Sequence, residues 1–274
     1  MKPVETVLLD RGAGNALDRA GLRRLLRRLR RLEHCTQVRV VILKSSRPSV
    51  FSSGLDLRSL VADGRLRTAW SVVSAVLLAR RLTRRIMRSS KIYIAALRGG
   101  VIGSAVSLAL ACDFAYADKT AWFWLPDPVY GGLLADGGLD ILRARCARTI
   151  SQQLALSVER LDAVHALECG LIHAVEPADQ LDGKIDDLAG RLVRLSRMTL
   201  NHTKRLLNRG IRSRPPMIPL IRAAISADMF RRTRGMLRDE GAVPSSREPE
   251  AHHRRTKTDQ PEKHFQNDSR EKSK

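Results

Sequence analysis

The residues with the most chemical potential lie in two glycine-containing turns and one acidic stretch. The turns are Phe51-Ser52-Ser53-Gly54-Leu55-Asp56-Leu57 and Leu97-Arg98-Gly99-Gly100-Val101-Ile102-Gly103-Ser104. Each follows a run that reads as a buried strand, and a helical pattern lies between them. Glycine lets a backbone approach a ligand closely, and free N–H groups at the start of a helix attract negative charge. A dinucleotide-binding fingerprint does not fit, because Arg98 occupies its first glycine position while Gly100 and Gly103 occupy the others. Taken singly, the second turn is equally well explained by tight strand–helix packing. The acids are Asp127, between Pro126 and Pro128, and Asp136, ahead of Gly137-Gly138. Either suits proton transfer, and either also suits a turn or a helix N-cap. Burial against Trp122, Phe123 and Trp124 would raise a carboxyl pKa towards a working range, although core packing explains those aromatics as well.

The elements that must position these groups are legible from periodicity. Val4–Leu9 reads as a strand, with a helix starting at the N-cap candidate Asp18. Leu22, Leu25, Leu26, Leu29 and Leu32 form one apolar stripe on that helix. Val38–Leu43 and Ile92–Leu97 read as buried strands, and Phe114–Ala117 as a shorter one. Helices are predicted over Ala69–Met87, Gly103–Leu110, around Ile141, and over Ser151–Leu156, Leu161–Cys169, Leu181–Leu195, Leu200–Asn208 and Pro219–Arg238. Strand–helix repeats therefore come first and helices last. Beyond about Gly241 apolar residues nearly vanish, which predicts a disordered polar tail.

With 274 residues and 43% apolar content, the chain suits one compact domain with an appendage. The formal charge of +21 points to anionic partners or to solvated arginine-rich helix faces. Arg23, Arg24, Arg27, Arg28, Arg30 and Arg31 flank the leucine stripe, and no aromatic residue interleaves them to stack on bases. Cys35, Cys112, Cys146 and Cys169 lack CxxC or metal-ligand spacing, so reduced thiols in an intracellular protein are expected. His165 and His173 read as packed or surface residues. The N-terminus shows no apolar h-region, and Val101–Cys112 is too short to span a bilayer, so neither a secretory signal nor membrane insertion is expected.

Together the two turns carry a resemblance to the crotonase (enoyl-CoA hydratase/isomerase) superfamily, over roughly residues 4–240. Ser46-Arg47-Pro48-Ser49-Val50-Phe51-Ser52-Ser53-Gly54-Leu55-Asp56-Leu57 closely resembles the equivalent stretch of mitochondrial Δ3,Δ2-enoyl-CoA isomerases. Asn15-Ala16-Leu17, Ala111-Cys112-Asp113-Phe114 and Gly170-Leu171-Ile172 followed by Val175 fit the same pattern. The resemblance implies an α/β fold: a crotonase-type spiral of ββα units over 1–195, a C-terminal helical region over 196–240 and the tail over 241–274. It implies assembly as a homotrimer or hexamer, and an acyl-CoA substrate with coenzyme A as its only cofactor-like part. The thioester carbonyl would lie between the N–H groups of Leu55 and Ser104, with Ser53, Gly54, Asp56, Arg58 and Gly103 around the acyl-CoA. Arg47, Arg98 and Lys204 are further candidates for its phosphates. Ser104 departs from the glycine usual in hydratases. Ser107 stands where the first of two hydratase glutamates would, and Asp127 stands at the second, with Asp136 as competitor.

One usable carboxylate per loop favours a double-bond shift from 3-enoyl to 2-enoyl thioester over hydration. The alternatives are a hydratase or other enolate chemistry, and an inactive CoA-binding or RNA-binding homologue, since one superfamily member binds RNA through lysines on a helix corresponding to the first, arginine-bearing one here. The compartment, cytoplasmic or mitochondrial, stays open.

Overall fold

The computed structural model describes residues 2–12, 14–61, 65–211 and 217–238. The predicted tail over 241–274 lies outside them. Nine strands alternate with eleven helices among the described residues. β1 (Val4–Leu9) leads to α1 (Arg19–His34), then β2 (Val40–Ser45), β3 (Val50–Ser52), α2 (Leu57–Leu60) and α3 (Arg65–Arg88). β4 (Ile92–Leu97), β5 (Gly100–Ile102) and α4 (Ser104–Ala111) form the next unit. β6 (Phe114–Asp118) and β7 (Trp122–Trp124) precede α5 (Gly138–Arg145) and α6 (Arg148–Gln152). Then come β8 (Leu161–Asp162), α7 (Ala163–Glu168), β9 (Ala174–Glu176), α8 (Leu181–Arg194), α9 (Arg197–Leu207), α10 (Met217–Ile225) and α11 (Ala227–Arg238).

Each strand pair splits between two sheets. One sheet is five-stranded and parallel, ordered β1-β2-β4-β6-β9, and the other is four-stranded, ordered β3-β5-β7-β8. This is a spiral of ββα units followed by helices. The short strands β3, β5 and β7 are absent from the periodicity reading, because three residues are too few to show a period of two. The segment read as one helix over Pro219–Arg238 is two, because the Ser226 hydroxyl accepts the Met229 N–H (3.0 Å) and starts a new helix there. The helix read over Ser151–Leu156 is instead the end of α6 running into a π-helical turn over Gln153–Ser157.

Alternation within the parallel sheet serves two cores. Val41, Leu43, Tyr93, Ala95 and Leu97 face α1, α3 and α4 in the main core. Val40, Ile42, Ile92, Ile94 and Ala96 face Leu181, Ile185, Leu188 and Leu192 of α8. The stripe of α1 packs inward as expected: Leu22, Leu25, Leu29 and Leu32 are buried, while Asp18 caps the helix through the Gly21 N–H (2.6 Å). A third cluster joins Ala69, Val73 and Val76 of α3 to Leu220 and Ala224 of α10, beside Ala135 and the half-buried Leu55. The C-terminal helices thus close over the side of the molecule where the two turns meet.

Candidate active site

The first turn is anchored by Asn15, which is fully buried and sits in the left-handed region at φ 47°. Its side-chain oxygen accepts the Arg11 N–H (2.7 Å), its amide donates to Ser45 Oγ (2.7 Å), and its carbonyl accepts the Ser52 hydroxyl (2.8 Å). Asparagine tolerates this backbone conformation better than most side chains. Next to it, Leu17 forms a parallel bridge with Leu55, donating to the Gly54 carbonyl (2.7 Å) and accepting from the Asp56 N–H (3.2 Å). In that pattern the N–H of Leu55 itself points away from Leu17.

The second turn lies on the other side. Gly54 has φ +79°, and a Cβ there would fall 2.5 Å from the Ile102 carbonyl and 3.0 Å from the Ser104 nitrogen. Only glycine permits so close an approach, and it brings Leu55 and Ser104 together. Gly103, at φ +56°, turns β5 into α4, and its N–H is taken by the Trp124 carbonyl (2.8 Å). Ser104 is the first residue of α4, so its N–H has no partner within the helix. The two turns therefore meet at a common space.

Both candidate acids reach that space. Gly103 has no Cβ, and the position a Cβ would occupy is 3.9 Å from Asp127 Oδ2. Asp127 opens a 3₁₀ turn over Asp127–Tyr130, and its carbonyl accepts the Gly132 N–H (2.8 Å). Asp136 is 1% exposed, and its Oδ1 accepts the Ser107 hydroxyl (2.8 Å) and the Gly138 N–H (3.0 Å). A Cβ on Gly138 would fall 2.0 Å from Ser107 Oγ, so this contact depends on glycine. Oδ2 of Asp127 and Oδ2 of Asp136 are both buried with no hydrogen-bond partner among the described residues.

The electrostatics separate the two carboxyls. Burial, and then the charge of Asp136, push Asp127 up to about 7. Burial also pushes Asp136 up, but the Ser107 hydroxyl, the Gly138 N–H and the nearby Ser104 hydroxyl pull it back. Asp127 titrates near neutrality, while hydrogen bonds favour the ionised form of Asp136 against its burial. The two acids, one from each loop, lie near enough for the charge of Asp136 to act on Asp127. Ser107, which looked like a lost base, is a donor that positions one of them.

Arg80 went unnoticed in the sequence. It is 3% exposed on α3, its Nη1 donates to the Ala135 carbonyl (3.3 Å), and Nε and Nη2 have no partner among the described residues. Burial lowers its pKa, and Asp140 and then Asp136 counter that pull. Thr83, one turn on, donates its hydroxyl to the Asp136 carbonyl (2.9 Å). The signal was present: Val76, Arg80, Thr83 and Met87 share one helical stripe, and a charge in a buried stripe needs a partner.

Other candidates lie elsewhere. The Asp56 carboxylate caps α2 through the Ser59 N–H (3.2 Å), and Arg58 is exposed on that short helix. The Ser53 N–H is held by the Gly14 carbonyl (2.8 Å). Lys204, a phosphate candidate from the sequence, is instead buried, with Nζ donating to Asp113 (2.7 Å) and to the Lys91 carbonyl (2.7 Å). Arg98 is likewise engaged, by Asp118, Asp182 (3.5 Å each) and the Ala178 carbonyl (2.8 Å). Arg47 is half-buried. Arg160 lies over the rings of Trp122 (4.4 Å) and Trp124 (5.3 Å), and Trp124 Nε1 donates to the Val158 carbonyl (2.8 Å). Those two tryptophans bind an arginine, whereas Phe123 belongs to the main core. His173 accepts the Ala115 N–H (3.2 Å) and His165 pairs with Asp162 (2.7 Å), as the packed and surface readings expected.

A two-sheet spiral of ββα units followed by helices is the architecture of the crotonase class of protein. The family model described as enoyl-CoA hydratase/isomerase matches residues 2–236, and the chain belongs to that family. It is 26% identical over 197 residues to a protein of Arabidopsis thaliana named probable enoyl-CoA hydratase 2, mitochondrial, covering 72% of this chain and 64% of that one. It is 29% identical over 172 residues to the mitochondrial Delta(3,5)-Delta(2,4)-dienoyl-CoA isomerase of Rattus norvegicus, covering 60% of this chain and 52% of that one. The chain thus spans about half to two thirds of these two relatives. Among solved structures, an enoyl-CoA hydratase/isomerase family protein from Silicibacter pomeroyi superposes with a TM-score of 0.71 at 26% identity, over 84% of this chain and 95% of that one.

Proposed function

We propose that the chain shifts the double bond of an enoyl-CoA thioester from the 3 to the 2 position through an enolate. The observation that carries this reading is the pair of unpaired, buried carboxylate oxygens beside the close approach of the Gly54 and Gly103 turns. The thioester oxygen accepts from the N–H groups of Leu55 and Ser104. Ionised Asp127 takes the proton from C2, negative charge moves onto that oxygen, and the two donors stabilise it. The electron pair then returns through C2–C3 as the C3–C4 double bond moves, and C4 takes the proton back from Asp127. No atom is gained or lost. Asp136 keeps its charge, held by Ser107 and Gly138, and sets the proton affinity of Asp127. Gly54, Ser53 and Gly103 shape the backbone around the thioester. In this reading Asp56 and Arg58 act through α2, and coenzyme A enters only as part of the substrate.

Hydration is the second reading, favoured by the hydratase names among the relatives. It needs a second acid–base group for water; Ser107 cannot supply one, and Asp136, the other carboxylate of the pair, is held by Ser107 and the Gly138 N–H. An assay on 3-enoyl-CoA thioesters of several chain lengths, run beside a 2-enoyl-CoA hydration assay, separates the readings. Double-bond shift in the wild type, lost in Asp127→Asn with CoA binding retained, supports isomerisation. Water addition without any shift would overturn it.

A further inference from the structure

Away from the two turns, α1 and α3 run side by side in the same direction. Arg19 Nη1 reaches Ser74 Oγ (3.4 Å) at one end, and Glu33 accepts from the Ser89 hydroxyl and the Ser90 N–H (2.9 Å) at the other. Between these ends the helices enclose a groove of about 560 Å³ lined by Arg23, Arg27, Arg30, Arg81, Arg84, Arg85 and Arg88. None of the seven has a carboxylate within salt-bridge distance among the described residues. The one acid in the lining, Glu33, is already engaged by Ser89 and Ser90.

This arrangement is unfavourable without a ligand. Arg23 and Arg27, Arg81 and Arg85, and Arg84 and Arg88 are like-charge pairs four residues apart, which destabilise a helix. Basic residues in a last turn offset the helix dipole, but Arg23, Arg27, Arg81 and Arg84 lie before the last turns of α1 and α3. Here they converge from two helices on one cleft.

We infer that the groove between α1 and α3 is a binding site for a compact, multiply phosphorylated anion, separate from the thioester site. Guanidinium is the side chain suited to phosphate, through paired N–H donors. The arginine rails of Arg23–Arg30 and Arg81–Arg88 are each about 10 Å long, a span suited to a short run of linked phosphates. No aromatic side chain lines the cleft, so phosphate is what it recognises, without base stacking. Glu33 closes one end against a longer anionic chain. Arg80 is buried and donates to the Ala135 carbonyl instead of lining the cleft, and the groove shares no lining residue with Leu55, Ser104, Asp127 or Asp136.

The test is calorimetric titration of the full chain with tripolyphosphate, in the wild type, in Arg27→Ala/Arg84→Ala and in the exposed-site control Arg143→Ala. Saturable binding that weakens roughly tenfold in the groove variant, leaves the control unchanged and survives excess CoA supports the site. The thermal midpoint serves as a folding check. Without ligand it should hold or rise in the groove variant, because like-charge pairs are removed, while the upward shift caused by tripolyphosphate should disappear. Absence of binding would overturn the inference, as would equal binding in all three proteins. Binding of a single-stranded oligonucleotide but not of tripolyphosphate would also overturn it and point to nucleic acid.

Discussion

Asp127 and Asp136 share chemistry but not surroundings, and the difference sets their roles. Asp136 has two donors on one oxygen, whereas the half-buried Asp127 has a buried, unpaired Oδ2 and a neighbouring negative charge. A base must be ionised to act, so activity should rise with pH through about 7 as Asp127 loses its proton. A kcat/KM profile that stays flat from pH 5 to about 9 would count against this base. Stability should run the other way. The folded-state pKa of Asp127 lies above its unfolded value, so its stabilising contribution is complete below the unfolded pKa and is lost as pH rises through about 7. Asp127→Asn is thus expected to lose about 10²–10⁴ in kcat. It should also melt at a higher temperature than wild type at pH 8, with the advantage vanishing near pH 4, as scanning calorimetry can check. Ser107→Ala removes one donor from Asp136, which favours its protonated form. The charge that raises Asp127 is then weaker, and the activity midpoint should move to lower pH.

At the scale of elements, the site depends on how closely two turns approach. A Cβ at Gly54 meets backbone atoms of Ile102 and Ser104, which cannot move aside without shifting the start of α4. Gly54→Ala should cost roughly 2–4 kcal/mol in denaturant unfolding and displace the Leu55 donor, lowering kcat more than it raises KM. The helix α9 is held differently. Lys204 carries its charge into the interior to meet Asp113, and the Asp113 carboxylate also accepts the Tyr93 N–H (2.8 Å) on β4. Lys204→Met leaves that carboxylate buried without its cation and should cost about 3–5 kcal/mol, with little effect on the pH profile of the surviving folded enzyme.

For the whole molecule, apolar side chains remain exposed on the last helices after the spiral is complete. Leu195, Met198, Leu206 and Leu207 around α9, and Ile218, Ile221 and Ile225 on α10, remain exposed. Apolar side chains gathered there suit burial between copies, in line with the proposed trimer or hexamer. Sedimentation equilibrium should give a mass of three or six chains, and Leu207→Glu should lower it; a monomeric wild type would end that proposal. No helix among the described residues is long and apolar enough to cross a membrane.

The amino-acid order by itself determined the long elements, because α1, α3, β2, β4 and α8 each carry enough residues to display their period. It also named the turns at Gly54 and Gly103, where glycine spacing and the ordered run from Ser46 to Leu57 are read without coordinates. It did not show that Asp127 and Asp136 act on one another, that Ser107 donates to the second of them, or that Arg80 lies buried behind both. Nor did it show that Lys204 faces Asp113 rather than a substrate phosphate. Those relations join residues far apart in the chain, and local propensity carries no information about them. Only the winding of successive ββα units, which stacks α3, α4 and the glycine loop before α5 around one point, decided which side chains meet.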